Sequence, residues 1–126
     1  ESAVDYARHR VMFSRPIGGY RLVQAKLVSM ITEITKAQLL SYRLGNLKDA
    51  GKMRPEQVSM AKMNNVSTAL HISRIARDIL GANGITDEYP IIRHLQNLET
   101  LNTYEGTEDI HRPTIGRDIT GLNAFE

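Results

Sequence analysis

The sequence predicts an all-α fold, an antiparallel four-helix bundle in a single domain. Three observations carry this expectation. Apolar residues recur at three- and four-residue steps along two long stretches, as one buried face of a helix requires. Glycine and proline fall mostly at the boundaries of those stretches. No window alternates apolar and polar residues cleanly, so nothing reads as a strand. The 126 residues, 41% of them hydrophobic, suit one domain with a real core.

Four or five helices account for most of the chain. The first runs from Glu1 to about Phe13, with Val4, Ala7, His9, Val11 and Met12 on a weak apolar face. It is short for an independent helix and reads as the tail of one that begins upstream. Ser14-Arg15-Pro16-Ile17-Gly18-Gly19 breaks it, because proline disfavours helix at the residue before it. The second helix spans about Tyr20 to Ala50. Its stripe is Val23, Leu27, Met30, Ile31, Ile34 and Ala37, and Gly51 is its stop.

The third helix starts near Pro55, a residue suited to a first turn. Val58, Ala61, Met63, Val66, Ala69, Leu70, Ile75, Ala76 and Ile79 form its stripe, and it ends at the loop Gly81-Ala82-Asn83-Gly84. A shorter helix covers about Tyr89 to Leu98, with Asp87 as N-cap and Pro90 in the first turn. Asn102-Thr103-Tyr104-Glu105-Gly106 reads as a turn. Thr107 then caps a last helix, whose positive end Glu108 and Asp109 complement and which Pro113 should kink. Long helices with short connections favour an antiparallel bundle.

Composition removes several function classes. There are no cysteines, which excludes disulfides, thiolate metal sites and cysteine nucleophiles. The 16 basic and 14 acidic residues leave a net charge of +2 with no lysine-arginine block, so no nucleic-acid partner is expected. No apolar run approaches the roughly 18 residues that span a bilayer, so no membrane span is expected. His9, His71, His94 and His111 lie too far apart for a metal-binding pair and read as structural or surface residues.

Glu105 is the first candidate for chemistry. Gly106 beside it lets backbone approach a ligand, and burial of a turn carboxylate would raise its pKa towards the range of a general base. On the residues alone, a solvated turn carboxylate is the simpler reading. Gly81-Ala82-Asn83-Gly84 can receive a phosphate or cofactor edge, or be only a helix C-cap. Arg10 and Arg21 flank the Pro-Gly loop, where they can clamp an anion or merely solvate.

Taken together, the motifs resemble those of the acyl-CoA dehydrogenase family. Leu80-Gly81-Ala82-Asn83-Gly84, Asp87-Glu88-Tyr89-Pro90, Asn102-Thr103-Tyr104-Glu105-Gly106-Thr107 and Gly116-Arg117-Asp118-Ile119-Thr120-Gly121 appear in that family's order. Arg10-Val11-Met12-Phe13 with Pro16 is similar to its Arg-x-x-Phe-Gly-x-Pro signature, with Ser14 in place of the glycine. Ala76-Arg77-Asp78-Ile79-Leu80 and Thr107-Glu108-Asp109-Ile110-His111 look most like the glutaryl-CoA branch.

The resemblance covers essentially the whole chain, and only the last of the family's three domains. It therefore implies a C-terminal helical domain over 1–126, without the N-terminal helical and middle β domains. It implies FAD as cofactor, an acyl-CoA substrate, electron-transfer flavoprotein as partner and a homotetramer. The compartment implied is the cytoplasm for a bacterial protein and the mitochondrial matrix for a eukaryotic one.

By the same resemblance Glu105 falls on the base that removes the α-proton while the β-hydride passes to the flavin. Its backbone N–H falls on a donor to the thioester oxygen. Tyr104 and Gly106 fall on substrate-contacting positions. Arg10, Phe13, Asp78, Ile79, Leu80, Gly81, Ala82, Thr107 and Phe125 fall on flavin-contacting ones. Arg10 and the glycine segment would reach the flavin of a neighbouring subunit. Arg21 stands where the family carries a flavin-contacting glutamine, and Ala82 where it carries a second glycine. A short-chain acyl-CoA dehydrogenase or oxidase is the alternative within the class. A non-catalytic helical oligomerisation module is the alternative outside it.

Overall fold

A computed structural model describes residues 1–124. Its helices are α1 (Ser2–His9), α2 (Arg21–Asp49), α3 (Pro55–Leu80), α4 (Ile91–Thr103) and α5 (Glu108–Thr120). Two-residue strands β1 (Val11–Met12) and β2 (Arg15–Pro16), and 3₁₀ turns at Ile17–Gly19 and Gly81–Ile85, fill two of the connections. The fold is all-α, as the helical stripes predict.

α3 is the hub against which α1, α2, α4 and α5 pack. Its partners α2, α4 and α5 run antiparallel to it. For α2, Lys26 pairs with Asp78 and Ser41 accepts from Asn65 at 2.8 Å. For α4, Arg74 bonds Glu99 at 2.7 Å and Lys62 reaches the carbonyl of Tyr104 just past its end. For α5, Arg54 and Asp118 meet in a two-bond fork at 2.9 and 3.0 Å. Thus α4 lies along the C-terminal half of α3 and α5 along its N-terminal half. The Tyr104–Thr107 turn carries the chain from one to the other.

The first helix is shorter than its sequence suggests. It ends at His9, Arg10 is extended, and the chain turns back in a hairpin with Val11 opposite Pro16 and Met12 opposite Arg15. Phe13 and Ser14 form the loop with φ of 52° and 66°, the double positive φ of a type I′ turn. Strands of two residues are too short to show alternation, so nothing in the pattern announces them. The Tyr20 hydroxyl donates to the Met12 carbonyl at 2.9 Å, and the Arg15 guanidinium lies 4.0 Å over the Tyr20 ring. Val11 and Met12 are exposed; Ala3 and Ala7 are what α1 buries.

α2 ends in a Schellman motif. The Lys52 N–H donates to Leu47 O at 2.8 Å and the Gly51 N–H to Lys48 O at 3.0 Å, with Gly51 at φ +67°. Val23, Leu27 and Met30 pack on the core, but Ile31 is 58% exposed and no α2 residue is fully buried. α3 starts at Pro55 as expected, with the Arg54 N–H donating to the Gln57 side chain at 2.9 Å. It buries Ala61, Leu70, Ala76, Ile79 and Leu80, while Val58 is exposed.

Asp87 does not cap α4. Pro90 holds the N-cap position, and the helix runs on to Thr103, so Asn102 and Thr103 belong to it rather than to the turn. Thr107 is the N-cap residue of α5, but its carbonyl rather than its hydroxyl is engaged, accepting from Ile110 and His111. α5 continues across Pro113 to Thr120. No helix among the described residues is long and apolar enough to cross a membrane.

Candidate active site

The Tyr104–Thr107 turn is fixed by groups from two helices. From α3, the Lys62 ammonium donates to the Gly106 carbonyl at 2.6 Å and to the Tyr104 carbonyl. From α5, the buried His111 ring lies under Gly106, so close that a side chain there would begin 3.0 Å from His111 Cε1. Gly106 also has φ +92°. Space and backbone together therefore demand glycine at this position.

Glu105 sits between these fixed points with φ +57°, in the left-handed region. A residue with a Cβ is held there at a cost of roughly 1–2 kcal/mol, and such strain persists only where the surroundings impose it. Its side chain is exposed, so this chain does not supply the burial that its sequence role suggests. Among the described residues its backbone N–H has no acceptor. The turn thus presents a carboxylate and an unused amide donor from one residue. Tyr104 is half-exposed beside it, and Thr107 follows at the start of α5.

The second predicted cluster lies at the other end of α3. Arg10, Asp78, Ile79, Leu80, Gly81 and Ala82 line one cavity of about 400 Å³, with Tyr6, Met12, Ile17 and Asn83. Lys26 holds the Asp78 carboxyl below its ordinary 3.8, by hydrogen bond and then by charge, and Arg77 adds to the effect. Its negative charge is therefore matched within the fold. Arg10 makes no ion pair among the described residues, which leaves the cavity with a cation at one wall. From Lys62 to Leu80 the helix rises about 27 Å, so this cavity and the Glu105 turn are separate places.

Phe13 and Arg21 join neither cluster. Phe13 stands at the hairpin tip, 86% exposed, and Arg21 opens α2 with its side chain in solvent. Phe125 lies outside the described residues. No group of three metal-ligating side chains occurs among the described residues.

Two residues that shape the turn escape the sequence reading. Lys62 has a signal there, since Val58, Lys62, Val66 and Ala69 share one helical face and a lysine interrupts an apolar stripe. His111 reads as a surface or structural histidine. It is buried, and its Nε2 has no partner among the described residues.

Residues 1–120 match the family model described as "Acyl-CoA dehydrogenase, C-terminal domain". The chain belongs to the acyl-CoA dehydrogenase family. This acyl-CoA dehydrogenase domain is similar to a glutaryl-CoA dehydrogenase from Mycobacterium smegmatis. The two superpose with a TM-score of 0.97 at 52% identity, over 99% of this chain and 32% of that one. A second glutaryl-CoA dehydrogenase structure from M. smegmatis, in complex with FADH2, matches with a TM-score of 0.96 at 45% identity over the same shares. The human mitochondrial short-chain specific acyl-CoA dehydrogenase is 36% identical over 91% of this chain and 28% of its own length. The chain thus spans about a third of the length of such relatives.

Proposed function

We propose that this chain is the C-terminal domain of a flavin-dependent acyl-CoA dehydrogenase acting on glutaryl-CoA, with Glu105 as its base. The observation that carries the reading is the strained, externally fixed turn that presents the Glu105 carboxylate. A surface acid with no task has no reason to be held at φ +57°. The higher identity to the two M. smegmatis glutaryl-CoA dehydrogenases than to the human short-chain enzyme supports the substrate.

In this reading a Glu105 carboxylate oxygen takes the α-proton of the bound thioester. The Glu105 N–H donates to the thioester oxygen, where negative charge develops. Tyr104 and Gly106 line the acyl group. Thr107, Phe13 and Arg21 would contact the flavin. Bound FAD supplies the acceptor for the β-hydride. Loss of the far carboxylate as CO₂, with a proton taken up at the γ-carbon it leaves, then gives crotonyl-CoA.

The cavity at Arg10 and Asp78–Ala82 fits part of such a cofactor. The Arg10 guanidinium, which has no ion pair among the described residues, suits an anionic group, and Met12, Ile17 and Ile79 suit an apolar one. Its distance from Glu105 supports the cofactor's belonging to a neighbouring subunit of an oligomer, for which a homotetramer is the proposed form. Electron-transfer flavoprotein is the proposed electron acceptor.

Single-turnover flavin reduction in the assembled flavoprotein tests the base. Glu105→Gln should slow reduction about 10²–10⁴-fold, the usual worth of a general base, with acyl-CoA binding retained. Reduction at the parental rate would show that Glu105 is not the base. Faster reduction by butyryl-CoA than by glutaryl-CoA would overturn the substrate instead.

A further inference from the structure

The carbonyls that flank Glu105 are those of Tyr104 and Gly106, and one group, the Lys62 ammonium, holds both. A single cation bonded to the residues on either side of a third closes a ring around it. Nζ also lies 5.8 Å from the centre of the Tyr104 ring, on its face. The residue inside the ring is the one with φ +57°, a conformation that needs imposing. The His111 ring also lies against Gly106, 3.0 Å from where a Cβ would stand. The turn is therefore held between α3 and α5, and Lys62 of α3 supplies the side-chain bonds to the Tyr104 and Gly106 carbonyls.

We infer that Lys62 is a positioning residue for the base. It acts through the Tyr104 and Gly106 carbonyls, not on the substrate. This rests on the reading of Glu105 as the base. Without the ammonium, both carbonyls turn to water and Glu105 relaxes out of the left-handed region, carrying its carboxylate away from the α-carbon. A displacement of about 1 Å at a reacting group costs up to about 10²-fold in rate.

The test uses the assembled flavoprotein. Lys62→Met keeps the stem and removes the donors. Flavin reduction in a single turnover should fall about 10- to 100-fold, while acyl-CoA dissociation constants stay within about threefold. Lys62→Arg, with two N–H groups for the two carbonyls, should recover most of the loss. In the Glu105→Gln background, Lys62→Met should add nothing, because residues that act as a unit are non-additive.

Parental flavin reduction in folded Lys62→Met overturns the inference, as does an equal loss in both backgrounds. If Lys62→Met fails to fold by circular dichroism, Lys62→Gln, uncharged and one bond shorter in reach, replaces it under the same two criteria. Failure of Glu105→Gln to slow the reaction would instead remove the base assignment on which the inference rests.

Discussion

At its C-terminal end α3 buries Ala76, Ile79 and Leu80 with Ala3 and Ala7 of α1 and Ile91 of α4. Its N-terminal half meets the α4–α5 turn through Lys62 and the end of α5 through Arg54. The first end is held by close apolar packing, which stabilises without aiming any atom. The second is held by charge-assisted hydrogen bonds, which add modest net stability but fix where carbonyls and carboxylates point. One helix thus anchors the domain at one end and, in the proposed function, aims the base at the other. The strained Glu105 lies at the end where direction matters.

This division predicts unequal responses to substitution. Leu80 is 2% exposed, and Leu80→Ala should cost about 2–5 kcal/mol of unfolding free energy in urea titration. Ile34 lies half-buried on the α2 stripe. Ile34→Ala should cost only about 1 kcal/mol, since much of its surface already meets water. Equal costs at the two sites would mean that the core is not concentrated at the end of α3.

A smaller effect sharpens the comparison at the packed end itself, where Lys26 and Asp78 are 42% and 49% exposed. The depressed Asp78 carboxyl stabilises the folded state above its unfolded pKa. That contribution is lost as pH falls through the lower folded value. At neutral pH, Asp78→Asn should cost at most about 1 kcal/mol, because solvent screens the pair. The difference between parent and variant should shrink as pH drops below about 4 and vanish once the folded carboxyl is protonated. A difference that stays constant through that fall would assign Asp78 a role other than this ion pair.

Much of the fold is legible in the sequence because long helices repeat their signal. α2 and α3 follow from their stripes, Gly51 and Pro55 mark the break between them, and Thr107 marks the start of α5. The hairpin at Val11–Pro16 is not legible, since two-residue strands carry no period. The extra turn of α4 is hidden because Asn102 and Thr103 look like turn residues, yet the Thr103 hydroxyl bonds the Glu99 carbonyl of the same helix at 2.8 Å. Glu105 is legible as part of a motif, but its left-handed backbone is not. That conformation depends on Lys62, 43 positions earlier in the chain, and no local pattern reports a partner so distant. The same holds for His111, whose burial comes from Gly106 and the helices around it.

In the proposed function Glu105 moves the α-proton, and proton movement can be separated from oxidation. An acyl-CoA with no hydrogen on its β-carbon, such as 3,3-dimethylbutyryl-CoA, can lose its α-proton but cannot give up a hydride. Incubated in D₂O with the assembled flavoprotein, it should exchange its α-hydrogens for deuterium, as followed by proton NMR. With Glu105→Gln that exchange should slow by about 10²-fold or more. Exchange at the same rate in parent and variant would contradict the account, because the proton would then be leaving to some other group.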